Sequence, residues 1–269
     1  MIREITLGQY YQTDSIIHRL DPRIKILGTL IYIISIFIFV NPYVYGWAAI
    51  MLIFVIVLSR VPFRHIFKGL KAIIFLILFT AVFNAFLMKG QVVFSFWRFQ
   101  ATKEGIINGI YMTFRLILLM IGSSIMTFTT SPSSLTDGME SILKPLKIFK
   151  IPVHEMAMMM SIALRFIPIL IEETDKIMKA QLARGADFES GNIIKRVKSL
   201  IPIIVPLFVS AFRRASDLAM AMEARCYCGG NGRTKMKPLK YKSRDILGYV
   251  FVALYVAGLL YLGININAY

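Results

Sequence analysis

The sequence predicts an all-α integral membrane protein with about five transmembrane helices and a cytoplasmic domain of three amphipathic helices inserted before the last of them. Three observations carry this. Of 269 residues 57% are hydrophobic, and the mean hydropathy is +0.66, above the roughly 45–50% apolar share of soluble globules. The apolar residues fall in blocks that approach the ~20 residues a helix needs to cross a bilayer. Finally, the +16 net charge gathers between alternate blocks, as expected when lysine and arginine stay in the cytoplasm.

The first block, Ile24 to Val40, and the second, Val44 to Leu58, are separated only by Asn41-Pro42-Tyr43, a turn short enough for a tight hairpin. Leu70 to Met88 and Ile106 to Thr129 form a second pair, and Ile246 to Ile264 stands alone near the end. The first 23 residues are polar and no small-residue cleavage site follows the first block, so no signal peptide is expected. Arg3, Arg19, Arg23 and Lys25 precede or open the first span. Arg60, Arg64, Lys68 and Lys71 lie between the second and third, whereas the first hairpin turn has no cation. This asymmetry predicts a multi-pass membrane protein with a cytoplasmic N-terminus and, after five spans, a C-terminus outside. The positive charge is then a cytoplasmic excess, and no nucleic-acid partner is expected.

The chain accordingly divides into residues 1–130 with four spans, a cytoplasmic region 131–245, and the last span with the C-terminus, 246–269. The middle region opens with Ser131 as N-cap and Pro132 at the first helical position, predicting a helix to about Phe149. A second run, Val153 to Leu182, turns amphipathic in its later half, where Leu170, Ile171, Thr174, Ile177, Met178 and Leu182 share a face. In the third run, Ile193 to Arg225, Leu207, Phe208, Ala211, Phe212, Ala215, Leu218, Ala219 and Met222 form a stripe, and Pro202 and Pro206 are expected to kink its beginning. These three helices are too amphipathic for lipid and too apolar for water, which suits packing on each other and on a partner.

Two of them end alike, in Ala183-Arg184-Gly185 and Ala224-Arg225-Cys226. A cation in the last turn favours the helix dipole, and Gly185 suits a left-handed C-terminal position, so both ends can be read as local caps. They can equally be read as prongs, because small flanking residues let a guanidinium approach a carboxylate and bind it in bidentate fashion.

The segments "DSIIHRLDPRIKIL" (Asp14 to Leu27), "SPSSLTDGMESILKPL", "ALRFIPILIEE", "AQLARGADF" and "MEARCYCGGNGRTKMKPL" follow in this order, and together they resemble the transmembrane T component of energy-coupling factor importers over essentially the whole chain. That resemblance implies a non-catalytic scaffold between two cytoplasmic ATP-binding cassette ATPases and a small membrane-embedded substrate-binding S component. Region 131–245 becomes its coupling domain, and the triplets around Arg184 and Arg225 cap the coupling helices that sit in grooves of the two ATPases. The cargo it implies is a vitamin or a metal ion, chosen by the S component. Here the chain departs from the family in one respect: the second triplet usually ends in glycine, and this one ends in Cys226.

The residues themselves bear on this in several ways. No G-x-x-x-x-G-K-[ST] run exists, so ATP is expected on partner chains and no cofactor on this one. Cys226 and Cys228 have none of the three histidines (His18, His65, His154) near them in sequence, so ordinary cytoplasmic thiols are expected rather than a metal site. Met156, Met158, Met159 and Met160 suit either a repackable surface for S components or simple core filling. Arg115, inside the fourth span, is expected to face a polar interior with Asn84 or Asn108 as neighbours, and Arg165 to snorkel or to pair with Glu172. Two rival functions make different demands on the sequence. A standard ABC importer permease would present one coupling helix rather than two arginine tips, and an intramembrane protease built on Glu172-Glu173 would need arginine where Ile177 stands.

Overall fold

Three helices begin with the same device, a short polar residue followed by proline. Asp21, Asn41 and Ser131 each accept a hydrogen bond from a backbone N–H of the first turn: Arg23 at 2.9 Å, Tyr43 at 3.1 Å and Ser134 at 3.3 Å. Proline follows at the first helical position, where its missing N–H costs nothing. The helices they open are α1 (Pro22–Ile38), α2 (Pro42–Ser59) and α5 (Pro132–Leu143). The remaining helices are α3 (Phe63–Leu87), α4 (Lys103–Thr129), α6 (Val153–Ala183), α7 (Ile193–Glu223) and α8 (Ser243–Ile266). This computed structural model describes residues 10–39, 41–87, 91–96, 99–188, 192–230, 236 and 238–266.

Between α3 and α4 lies an antiparallel hairpin of β1 (Val92–Phe96) and β2 (Phe99–Thr102), paired Phe94 to Ala101 and Phe96 to Phe99. Its β-branched and aromatic residues are the ordinary strand formers. One difference concerns the helix expected to run to Phe149. It stops at Leu143, and Lys144–Phe149 continue as a tight 3₁₀ turn. Pro145, which lacks an N–H and clashes with the preceding turn, breaks the α ladder there.

Among the described residues the chain divides into two compact units, one holding residues up to Ser141 with those from Leu239 on, the other Ile142–Pro238. In the first unit α1, α2, α4 and α8 enclose the core, built around Tyr32, Ile36, Val44, Ala48, Leu118 and Leu259. Polar side chains inside it find internal partners, as a low-dielectric interior favours. The Tyr32 hydroxyl donates to the Leu118 carbonyl (3.2 Å), Ser35 and Tyr255 share a hydrogen bond (2.6 Å), and the Trp47 indole N–H donates to the Tyr255 carbonyl (3.2 Å). Gly258 is required beside Trp47, since a Cβ there would stand 2.5 Å from the indole ring.

Among the described residues five helices can cross a membrane by length and composition: α2, α4, α6, α7 and α8. A sixth candidate is α3, whose halves Phe63–Lys71 and Ile73–Asn84 are bent by 57°. So α2, α4 and α8 match expected spans, α1 at 17 residues reaches only about 26 Å, and α6 and α7 qualify although their amphipathic halves argued against lipid.

Arg115 does not bond to Asn84 or Asn108. Its guanidinium donates to the Phe37 carbonyl (3.2 Å) and lies 4.2 Å from the centre of the Phe37 ring. That carbonyl is among the last four of α1, which no N–H of its own helix can reach, so a cation at this position is a C-cap for another helix. Arg165 and Glu172 are both exposed, and no ion pair joins them.

Candidate functional site

In the second unit the two arginine triplets are closed by the same pair of capping hydrogen bonds. At the end of α6, Arg184 is the C-cap, and Gly185 follows in the left-handed conformation (φ +84°). The Gly185 N–H donates to the Leu182 carbonyl (3.0 Å) and the Ala186 N–H to the Gln181 carbonyl (3.0 Å), the paired 5→2 and 6→1 bonds of a Schellman motif. At the end of α7 the same two bonds recur, Cys226 to Glu223 (2.8 Å) and Tyr227 to Met222 (3.0 Å). Cys226 takes the left-handed position (φ +54°) that the family pattern reserves for glycine. The substitution therefore leaves the cap intact, at a backbone cost of about 1–2 kcal/mol.

Each cap turns its arginine outward. Ala183, Arg184 and Gly185 are exposed, and so are Ala224, Arg225 and Cys226. Among the described residues neither guanidinium has a hydrogen bond or ion pair. Two unneutralised cations held on rigid helix ends are prepared for carboxylates that another molecule supplies.

The helices carrying them are antiparallel. Glu173 on α6 accepts from Ser210 (2.5 Å) and from Arg214 Nη2 (2.8 Å) on α7, and about two turns further along Gln181 Nε2 donates to the Pro202 carbonyl (3.5 Å). The Pro202 carbonyl is available because its normal helical donor would be residue 206, which is proline. Glu173, weighed above as a protease acid, is thus a tie between helices with both oxygens occupied.

This pairing separates the triplets. Arg184 lies at the α6–α7 connection, whereas Arg225 returns to the start of α6, where the Gly230 N–H donates to Glu155 (3.2 Å). Along the 31 residues of α7 the two tips are about 45 Å apart. Met156, Met159 and Met160 near the start of α6 are exposed and Met158 is half-buried, so the cluster neighbours the Arg225 tip and core filling does not describe it.

The sequence reading of α7 as one apolar stripe resolves into two faces. Leu207, Ala211, Leu218 and Met222 are half-buried, on the side that carries Ser210 and Arg214. Phe208 and Phe212 stack on each other (6.4 Å) and are exposed, Phe212 at 72%. With Val205 and Val209, also exposed, they make an uncovered apolar surface whose signal was the i, i+4 recurrence of aromatics.

Residues 13–236 match the family described as cobalt transport protein, CbiQ. The chain is 50% identical over 257 residues to the energy-coupling factor transporter transmembrane protein EcfT of Thermosediminibacter oceani, covering 96% of this chain and 97% of that one. It is 55% identical over 249 residues to the protein of the same name from Clostridium kluyveri, covering 92% of each. With that of Bacillus subtilis it shares 46% identity over 246 residues, covering 91% of this chain and 93% of the relative.

Proposed function

The chain belongs to the CbiQ family and is the transmembrane component of an energy-coupling factor transporter, and from that premise we propose that it couples two cytoplasmic ABC-type ATPases to a substrate-binding S component. The observation that carries this reading is the duplicated cap: two exposed, unpaired arginines in the same hydrogen-bonded frame at opposite ends of one helix pair. Two such ends about 45 Å apart suit two separate partners better than one. Each ATPase offers a groove with acidic residues, the apolar flank of the helix docks in it, and the arginine bonds the carboxylate. Closing of the ATPase pair on ATP moves the ends of α6 and α7, and the exposed apolar face of α7 with the Met156–Met160 cluster passes the movement to the S component. ATP and cargo, a vitamin or a metal ion, are bound by those partners, and this chain is not itself an enzyme.

The test is capture of the protein from native membranes in mild detergent, with mass spectrometry of what accompanies it. Wild type is expected to bring two ATPase chains and one or more small hydrophobic proteins. Removing one member of a desolvated interfacial ion pair costs about 2–5 kcal/mol, so the Arg184→Glu, Arg225→Glu double variant should lose the ATPases while still recovering the small membrane proteins. Capture of an extracellular solute-binding protein instead, or unchanged ATPase recovery by the double variant, would return both arginines to the status of helix caps.

A further inference from the structure

In the first unit, α1, α2, α4 and α8 leave a cavity of about 390 Å³ between them, within the ~300–1,000 Å³ typical of small-molecule sites. Its walls are almost wholly apolar, including Met51, Val55, Ile125, Phe251 and Val252. It is open at one side, where the lining residues Ile16, Phe54 and Leu247 are exposed. For a chain in a bilayer that side faces hydrocarbon.

Its two ends differ in chemistry. At one end lie Lys25 and Arg244, close to the first residues of α1 and α8 and beside Thr129 at the last residue of α4, the level at which all three helices meet one membrane face. At the other lie Tyr32 and Tyr255. From Lys25 to Tyr32 along α1 is about 10 Å, and from Arg244 to Tyr255 along α8 about 16 Å. Half of a ~30 Å hydrocarbon core is about 15 Å, so the cavity runs from headgroup depth to near the bilayer centre.

Neither cation at the charged end has a direct ion pair among the described residues. Lys25 Nζ donates to the carbonyls of His18 (3.1 Å) and Thr129 (2.8 Å) and feels the carboxylates of Asp21 and Asp245 only through space, and Arg244 has no hydrogen bond or ion pair among the described residues. The nearby carboxylates are committed elsewhere. Asp21 caps α1 and pairs with Arg23 (3.7 Å), and Asp245 accepts from the N–H groups of Asp21 (2.9 Å) and Lys242 (2.6 Å).

We propose that this cavity is a binding site for one anionic phospholipid, with an acyl chain lying along the apolar walls and the headgroup phosphate held by Arg244 and Lys25. Charge complementarity selects the occupant. A phosphate satisfies the guanidinium in a fork that water cannot match, and a zwitterionic choline lipid would bring a third cation to a mouth that already has two. A chain buried along the cavity adds the hydrophobic contribution of each CH₂ it removes from water.

The full-length protein is reconstituted in nanodiscs of equal phosphatidylglycerol and phosphatidylcholine, released into mild detergent, and its retained lipids are measured by native mass spectrometry. Wild type is expected to keep one phosphatidylglycerol at least tenfold over phosphatidylcholine. Arg244→Gln and Lys25→Gln should abolish that preference, Arg244→Lys should keep part of it, and Lys242→Gln, the same charge change on an exposed residue outside the cavity, should leave it intact. Val55→Trp, which fills the apolar wall, should reduce retention of both lipids. Gel filtration identifies any variant that fails to fold, and the wild-type preference with the Lys242→Gln control stands without it. Equal retention of the two lipids by wild type, an unchanged preference in folded Arg244→Gln, or unchanged retention by Val55→Trp would overturn the proposal.

Discussion

Cys226 shows how much a single backbone angle constrains a recognition motif. The 5→2 and 6→1 bonds that close α7 require residue 226 to stand at φ +54°, a region where an L side chain crowds its own carbonyl. Glycine at that position is free of the crowding but brings a larger entropy loss on folding, about 0.5–1 kcal/mol. The net expectation for Cys226→Gly is a cap more stable by up to about 1 kcal/mol, read as a small rise in unfolding temperature of the purified protein. ATPase capture should not change, because the Arg225 side chain leaves from the residue before. Gly185→Val should act in the opposite sense at the other tip, since a β-branched residue at φ +84° is a steric outlier. The measurement is thermal unfolding in detergent, and a higher unfolding temperature for Gly185→Val would show that the α6 cap does not need its left-handed residue.

At the scale of elements, the Leu20-Asp21-Pro22-Arg23 segment proves to be a junction between α1 and α8. Asp21 caps α1 with its side chain while its own N–H donates to Asp245 in the first turn of α8. Arg23 donates to the Leu239 carbonyl (3.3 Å) and lies 4.9 Å from the centre of the Tyr241 ring. Asp245→Ala would orphan one buried donor, the N–H of Asp21, and one partly buried donor, the N–H of Lys242, and is expected to destabilise by about 1–3 kcal/mol. Thermal unfolding of the variant against wild type reads this directly; no change would mean that water satisfies both groups. The cap at Asp21 carries the same local signal that identified Ser131, a short polar residue before proline and an apolar run, although only Ser131 was expected as a cap from the sequence. The partner of Asp21 was not legible, because a contact 224 residues away leaves no periodicity for one sequence to display. The same division holds elsewhere. The runs predicted for α6 and α7 end within a residue or two of the observed helices, since apolar spacing and glycine or alanine-rich ends are local properties. Arg115 was misassigned because its partner is a backbone carbonyl, which every residue carries and no residue type announces.

For the molecule as a whole, the position of the two arginines bears on how α6 and α7 meet the bilayer. Hydropathy admits both as spans, and at 31 residues each they are about 46 Å long, well beyond a ~30 Å hydrocarbon core. If this antiparallel pair crossed the membrane, Arg184 and Arg225 would emerge on opposite sides, and only one could meet a cytoplasmic ATPase. Function through both tips therefore requires the pair to lie along the cytoplasmic surface, with Glu172, Glu173, Asp175, Lys176 and Lys179 kept out of the hydrocarbon core. Because two crossings are an even number, the direction of α8 is the same in either arrangement, so labelling its end does not discriminate. Labelling the tips does. The chain has two cysteines, both exposed, so Cys226 reports the Arg225 end after Cys228→Ser, and Leu182→Cys in a cysteine-free background reports the Arg184 end. Tyr43→Cys, exposed at the turn between α1 and α2, serves as the outside reference. A membrane-impermeant maleimide is expected to label position 43 in intact cells, and positions 182 and 226 only in inside-out vesicles. Labelling of 182 and 226 from opposite faces would establish α6 and α7 as spans and rule out a pair of cytoplasmic ATPases held by these two arginines.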